Sequence, residues 1–352
     1  MEVKSLKRTI TIKTVFVCCT ILLILWFLNE AGTFSDHVSS VSDYTCPDIK
    51  DEPSPNNEVK IPEPPFTIVT GASGNHFCAV HAWLYRTYTA VNLAFSNAAR
   101  PRVIVYNLGL SPWQISMLNS LQSAGVFTEL RTFNYSKYPD FWLLANSRGQ
   151  YAWKPGIVGE VAKDYPGIIL WLDAGTLVRT SMLQNIEKRL EENKGFMSPT
   201  SSGSFFRWTH RGVFEYFNVP IPKELKSIHN CNGAAFAIDT RTAGKILTDF
   251  VDCALHKECI APPGSSRKNH RQDQALLTYI AAREGYFCNE TTESFGVLTH
   301  KDRACAESIV RFETLNFVPW QIAEEEREAV RSYKRENRKA GEWWDIVWEA
   351  IP

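Results

Sequence analysis

The chain lacks a charge excess of either sign: 38 Lys and Arg stand against 38 Asp and Glu over 352 residues. A protein that grips phosphodiester backbones concentrates cations on one face, so this balance argues against nucleic acid as a partner. Close Cys-x-x-Cys pairs are missing, which excludes the common structural zinc spacings. Internal repeats are missing too, which excludes solenoids and propellers. Long apolar runs are scarce; the exception is residues 15–28, where Thr20 is the plainly polar side chain. What is plentiful is aromatic surface, with eleven Trp and twenty Phe. That supports one large core, with appendages, in a chain of this length.

The apolar run sets the compartment. Lys4, Lys7, Arg8 and Lys13 precede it, and Glu30 and Asp36 follow. Cations stay on the cytosolic side, so the rest of the chain is expected in a lumen. Residues 15–28 rise roughly 21 Å, against a hydrocarbon core of about 30 Å. Counted from Ile10, with Lys13 snorkelling, the run reaches across a thin early-secretory membrane. A cleaved signal peptide is the alternative, but Asn29 and Glu30 spoil a small-x-small cleavage site near Ala31 and Gly32. The expected plan is a cytoplasmic tail (residues 1–13), a signal-anchor helix (14–30), a Pro/Ser/acidic stem (31–65), a luminal domain (66–320) and a helical, Trp-rich C-terminal segment (321–352). The protein is thus expected as a single-pass type II membrane protein of the Golgi or endoplasmic reticulum. Trp343, Trp344 and Trp348 are expected to dock onto the domain.

Cysteine usage fits an oxidising lumen. Cys18 and Cys19 fall in the apolar run, and Cys46, Cys78, Cys231, Cys253, Cys259, Cys288 and Cys305 lie beyond it. Cys253 with Cys259 is the first expected bridge and Cys288 with Cys305 the second, and the odd count leaves at least one thiol unpaired or intermolecular. Two sequons, at Asn134 and Asn289, are usable for N-glycosylation there.

From Phe66 onward, apolar runs alternate with helical patterns. Residues 66–70 read as a strand broken by Gly71-Ala72-Ser73-Gly74, with a helix over 76–95. Residues 102–107 form the next strand, and Ser111-Pro112 opens a helix to about 124. A third strand spans 128–133, a helix 154–164 and a fourth strand 167–173. The pattern predicts βαβ units around a mainly parallel sheet, an α/β fold. Beyond it come a helix over 182–193, short strands at 196–199 and 233–239, an aromatic and basic loop at 205–210, and helices to about 255 and over 272–283. Residues 324–339 read as a charge-dense helix.

The chemistry centres on Trp171-Leu172-Asp173-Ala174-Gly175-Thr176. In an open α/β sheet the ligand sits outside the carboxyl ends of the strands, where Asp173 falls. Downstream follow Asn230-Cys231-Asn232-Gly233-Ala234 and Arg271-Gln272-Asp273-Gln274. In this order the segments resemble the GT-A fold glycosyltransferases, most nearly the glycogenin-like family 8, over about residues 66–305. The same region is similar to a eukaryotic family of type II membrane proteins, through Val105-Tyr106-Asn107-Leu108-Gly109-Leu110, Tyr151-Ala152-Trp153-Lys154-Pro155 and Asn269-His270-Arg271-Gln272-Asp273-Gln274.

The resemblance implies a single GT-A-like domain with a nucleotide-sugar donor, UDP-sugar foremost, and a glycan or protein acceptor. It places Thr70, Gly71, Lys154, Asp173, Ala174 and Gly175 on the donor side, and Asn232, Gly233, Gln274 and Arg271 toward sugar and acceptor. Asp173 and Asp273 become the catalytic pair, Asp273 orienting or deprotonating the acceptor hydroxyl. The family's Asp-x-Asp holds a hard divalent ion, Mn2+ or Mg2+, against the pyrophosphate. Here its second position is Gly175. Either Asp173 with His300 holds the metal, or cations such as Lys154, Arg207, His210 or Arg271 replace it, or the chain binds its ligand without transferring sugar.

A dinucleotide reading of Thr70-Gly71-Ala72-Ser73-Gly74, as in NAD(P)-dependent oxidoreductases, fails on the third glycine and on the missing Tyr-x-x-x-Lys pair.

Overall fold

The computed structural model describes residues 63–96, 98–220, 223–301 and 305–314. The expected tail, signal anchor and Trp-rich segment lie outside them, as do residues 31–62 of the stem, the charge-dense helix at 324–339, and Cys18, Cys19 and Cys46. Among the described residues no helix is long and apolar enough to cross a membrane.

The elements run β1 (Thr67–Ala72), α1 (Phe77–Ala94), β2 (Arg102–Asn107), α2 (Pro112–Ser123), β3 (Glu129–Thr132), α3 (Trp153–Asp164), β4 (Ile168–Leu172), β5 (Leu177–Val178), α4 (Thr180–Glu192) and β6 (Phe196–Met197). They continue with β7 (Thr200–Ser204), α5 (Phe205–Trp208), α6 (Gly212–Tyr216), β8 (His229–Cys231), β9 (Ala235–Asp239), α7 (Gly244–Leu255), α8 (Lys257–Ile260), α9 (Gln272–Arg283), α10 (Thr292–Phe295), β10 (Val297–Leu298) and α11 (Cys305–Thr314). The aromatic stretch expected as a loop at 205–210 is instead the short helix α5, capped by the Ser204 side chain accepting from Arg207 N.

Six strands form the central sheet in the order β3-β2-β1-β4-β9-β6. The first four are mutually parallel, as the βαβ alternation predicts. β9 then runs antiparallel to β4, with Leu172 opposite Ala235, and β6 antiparallel to β9. The α/β class read from the sequence, with a mainly parallel sheet and flanking helices, is the observed one.

Strand parity distributes the core. Side chains alternate faces along a strand, so Ile168, Leu170 and Leu172 join residues of α1, α2, α4 and α11. Ile169 and Trp171 join α3, α7 and α9 on the other face. A strand buried on both faces must be apolar throughout, and β4 is (Ile-Ile-Leu-Trp-Leu). Parity also fixes the next residue: Asp173 emerges on the face of Ile169 and Trp171, beneath α3 and α9.

Three disulfides brace the described part. Cys253–Cys259 closes the expected small loop. Cys288 and Cys305 do not pair with each other: Cys288 bonds Cys231 on β8, and Cys305 bonds Cys78 on α1 across 227 residues of sequence. The reason is the layering. Cys305 opens α11, which packs on the α1 face, whereas Cys288 follows α9 on the opposite face.

Candidate functional site

Five segments converge at one edge of the sheet. β1 and β4 deliver their carboxyl ends there, as the loop from Gly71 and the turn Asp173-Ala174-Gly175. Because β9 is antiparallel, its entrance, Asn232-Gly233-Ala234, reaches the same edge, and Asp173 N donates to Ala234 O at 2.8 Å. The amino ends of α3 and α9 close the arrangement and carry Lys154 and Asp273. The result is a cleft of about 860 Å³ lined by these segments.

At its floor lies a buried ammonium. Lys154, 3% exposed, donates to Asp273 Oδ2 at 2.8 Å, to Asp173 Oδ1 at 3.0 Å and to Gly233 O at 2.7 Å. These three acceptors use all three of its protons. Burial alone pushes an amine toward neutrality, but the two carboxylates outweigh it, and the Lys154 ammonium is held well above its ordinary pKa. Asp273 is raised in spite of Lys154: burial is the largest cause, and the Asp173 charge adds to it. Asp173 Oδ1 also accepts from Trp171 Nε1 at 2.8 Å. Gly233 has a steric reason to be glycine, since a Cβ there would lie 2.9 Å from Asp273 Oδ2.

One wall of the cleft has an unusual backbone. Ser147, Arg148, Gly149, Gln150 and Tyr151 all have φ between 51° and 63°, a left-handed turn that costs non-glycine residues roughly 1–2 kcal/mol each. Surrounding bonds hold it: Arg148 N donates to Leu144 O at 3.0 Å, Ala152 N to Gly149 O at 2.9 Å, and Trp153 Nε1 to Arg148 O at 3.1 Å. Gly149 packs so closely that an added Cβ would meet Trp142 O at 2.1 Å. Gln272 (φ 28°) and His300 (φ 57°), also beside the cleft, share the left-handed region. Strain gathered around one cavity is a common mark of a functional site.

Of the residues singled out from sequence, Gly71, Lys154, Asp173, Ala174, Gly175, Asn232, Gly233, Arg271, Asp273, Gln274 and His300 all line this cleft. Thr70 does not: it is fully buried within β1. Arg207 and His210 are also outside the lining. Asn232 Oδ1 accepts from Ala234 N at 3.0 Å, so that oxygen shapes the β9 entrance. Gln274 is 8% exposed and its Nε2 has no partner, which leaves a buried donor on the cleft wall. Both sequon asparagines, Asn134 and Asn289, are exposed, and Asn134 Oδ1 accepts from the Ser136 hydroxyl at 2.7 Å.

The donor set does not fit a divalent metal. Asp173 Oδ1 already carries an indole N–H and an ammonium, and a second cation beside it would face the Lys154 charge. The neighbouring carboxylate is replaced by Gly175, and His300 sits exposed at the rim. Among the described residues no group of three or more His, Cys, Asp or Glu is gathered for a metal. Beside Asp173, one of the two residues expected as metal ligands with His300, the Lys154 ammonium supplies the local positive charge.

Arg148, Tyr151 and Arg267 also line the cleft and were not singled out from sequence as site residues. Exposed loop arginines carry no local signal that separates a ligand contact from a solvated one; Gly149 was the one hint of an irregular backbone.

No family model matches the chain, and no curated protein matches it. Among solved structures it is similar to the galactosyltransferase LgtC in complex with donor and acceptor sugar analogues, at 15% identity and a TM-score of 0.38, over 60% of this chain and 69% of that one. An active-site mutant of LgtC aligns at 14% identity and a TM-score of 0.43, over 74% of this chain and 99% of that one. The glycosyltransferase GlyE of Streptococcus pneumoniae aligns at 12% identity and a TM-score of 0.36, over 62% of this chain and 43% of that one.

Proposed function

We propose that the chain is a glycosyltransferase that moves a sugar from a nucleotide-sugar, UDP-sugar foremost, to a glycan or protein acceptor. The observation that carries this reading is the Lys154 ammonium between Asp173 and Asp273, at the carboxyl edge of a mainly parallel sheet. The order of the Asp173, Asn232 and Asp273 segments along the sequence supports it as well. In the reaction the bond from the sugar C1 to the β-phosphate oxygen breaks, and its electron pair leaves with the diphosphate. An acceptor hydroxyl oxygen forms the new bond to C1, and its proton passes to Asp273. A carboxylate raised by burial is the better base for that proton. Asp173 and Lys154 fix the charge and position of Asp273.

Three disulfides among the described residues and two exposed sequon asparagines support a secretory compartment. With the amino-terminal apolar run, they support the reading of a type II protein of the Golgi or endoplasmic reticulum with a luminal domain.

The test uses the purified full-length chain in detergent and a panel of nucleoside diphosphates and nucleotide-sugars. A ligand that binds the folded state alone raises Tm. The expected result is a shift with one nucleotide, reduced in Asp173→Ala, and release of nucleoside diphosphate when acceptor glycans are added. No shift with any nucleotide sinks the reading. Gly175, which leaves the Asp-x-Asp pattern with one carboxylate, favours a second reading: a binding protein on the same scaffold. A nucleotide-specific shift without diphosphate release from any acceptor would select it.

A further inference from the structure

The cleft holds more positive charge than its carboxylates neutralise. Lys154, Arg148, Arg267 and Arg271 line the cleft with two carboxylates, Asp173 and Asp273, and Lys154 engages both of those. Neither Arg148, Arg267 nor Arg271 has a carboxylate within 4.0 Å among the described residues. Instead they share neutral partners. Arg148 and Arg267 each donate to the Tyr151 phenol oxygen at 3.0 Å, and Arg271 lies over the Trp208 ring at 4.2 Å. Two guanidiniums brought to one phenol repel each other, an arrangement that an arriving anion relieves. The Arg271 guanidinium is pressed below its ordinary pKa, first by burial and then by the charges of Arg267 and Arg207. The turn that carries Arg148 and Tyr151 is the left-handed one, held in place at local cost. On the same cleft the buried Gln274 Nε2 has no acceptor.

An oxyanion with several acceptor oxygens answers each of these features. Planar guanidiniums bind phosphate in a bidentate manner. The metal that would otherwise neutralise a departing diphosphate does not fit beside Lys154.

We propose that Arg148, Arg267 and Arg271, steadied by Tyr151, form a metal-independent seat for the diphosphate of the donor. The inference rests on the glycosyl-transfer reading for the identity of its ligand, though not for the seat itself. In the transfer step the negative charge that develops on the β-phosphate oxygen as the C1–O bond breaks is neutralised by these guanidiniums, where a related site would use a divalent ion. The same chemistry could serve an anionic group on the acceptor, so the experiment separates the two sources.

Binding of inorganic pyrophosphate, and of the nucleotide-sugar that shifts Tm, is measured by titration calorimetry on the full-length chain, with EDTA and with Mn2+. The expected result is pyrophosphate binding that is unchanged by EDTA, weakens as salt is raised, and competes with the nucleotide-sugar. Arg148→Gln with Arg267→Gln is expected to weaken it by about tenfold or more, since each charge-assisted bond is worth about a decade. Both arginines are exposed, so the variant is expected to keep its circular dichroism and Tm. Tyr151→Phe, which removes the shared oxygen, is expected to weaken binding by a smaller factor.

Binding that requires Mn2+ and vanishes with EDTA overturns the seat, as does binding indifferent to the double variant. Pyrophosphate binding that does not compete with the nucleotide-sugar overturns its assignment to the donor. Pyrophosphate binding as expected, with no nucleotide-sugar bound at all, leaves the seat standing and sinks the transferase reading.

Discussion

The Lys154 ammonium lies 2.8 Å from Asp273 Oδ2, yet the Asp273 carboxyl titrates above its ordinary range. A cation at that distance ordinarily pulls a carboxylate down. Here the burial of Asp273 wins, because Lys154 divides its charge between two acids and the Asp173 charge adds to the upward push. The pair is therefore poised: Asp273 stays near the cation and retains the basicity to take a proton.

Removing the cation should expose that balance. In Lys154→Met the buried Asp273 carboxylate loses its cation and faces the partly exposed Asp173, which keeps the Trp171 indole N–H, and breaking one side of a buried ion pair typically costs about 3–5 kcal/mol. Urea unfolding is expected to show a loss of this order, along with loss of transfer activity. Adding Asp273→Asn removes one of the stranded charges, so the double variant is expected to regain part of the stability and none of the activity. If the double variant were no more stable than Lys154→Met, electrostatic stranding would not be the cause.

Gly233 can be tested without changing any charge. A Cβ there would lie 2.9 Å from Asp273 Oδ2 and 3.2 Å from Gln274 Cβ, so Gly233→Ala must push the Asp273 carboxylate off its position on Lys154. The expected cost is about 1–3 kcal/mol from overpacking, with kcat falling more than KM rises. Gly244→Ala is the control: its Cβ would meet nothing within 4 Å, and losing a glycine at a permissive position should stabilise by about 0.4–1 kcal/mol. Equal effects of the two substitutions on kcat would remove the steric argument.

These tests use residues that differ in how far the sequence reveals them. β2, the Pro112 opening of α2 and the whole of α9 are legible because their signals are local: an apolar run, a cap with proline, a helical period. Asp173, Lys154, Asn232 and Asp273 are legible because each stands at the end of such an element, in an order that resembles a known family. The antiparallel insertion of β9 is not legible, since Ala-Phe-Ala-Ile-Asp pairs equally well in either direction until the chain between β4 and β9 is placed. The partners of Cys288 and Cys305 depend on which face α11 covers. Arg148 and Arg267 are ordinary exposed arginines until the left-handed turn sets Tyr151 between them.

The disulfides give an ordered expectation. Cross-linking removes loop entropy from the unfolded chain, and the effect grows with the logarithm of loop length. Cys78–Cys305 spans 227 residues, Cys231–Cys288 spans 57 and Cys253–Cys259 spans 6. Replacing each pair by alanines should lower stability in that order, from about 5 kcal/mol for the longest loop to about 2 for the shortest. Thermal unfolding of the three double variants checks it. A largest loss at Cys253–Cys259 would show that local packing, and not chain entropy, governs the bridges.

The last expectation concerns acid. His81 is 1% exposed on α1, with Nδ1 2.6 Å from the Ser308 hydroxyl on α11 and its ring 5.0 Å from Phe312. Burial lowers its pKa from 6.5 to about 3, so the folded protein keeps it neutral where the unfolded chain protonates it. The stability is thus whole above pH 6.5 and is lost as pH falls from there toward 3, because the unfolded state binds the extra proton. His270, lowered to about 4 chiefly by burial, acts with the same sign over a narrower window. Within that window each such histidine contributes a slope of about 1.4 kcal/mol per pH unit. In His81→Gln one proton's worth of slope should disappear between pH 6 and 4, whatever the substitution does to stability at pH 7. Carboxylates titrate alike in both proteins and cancel in the difference. Urea midpoints at pH 6.5, 5.5 and 4.5 measure it: converging curves are expected, and parallel ones would mean that His81 takes up its proton inside the folded core.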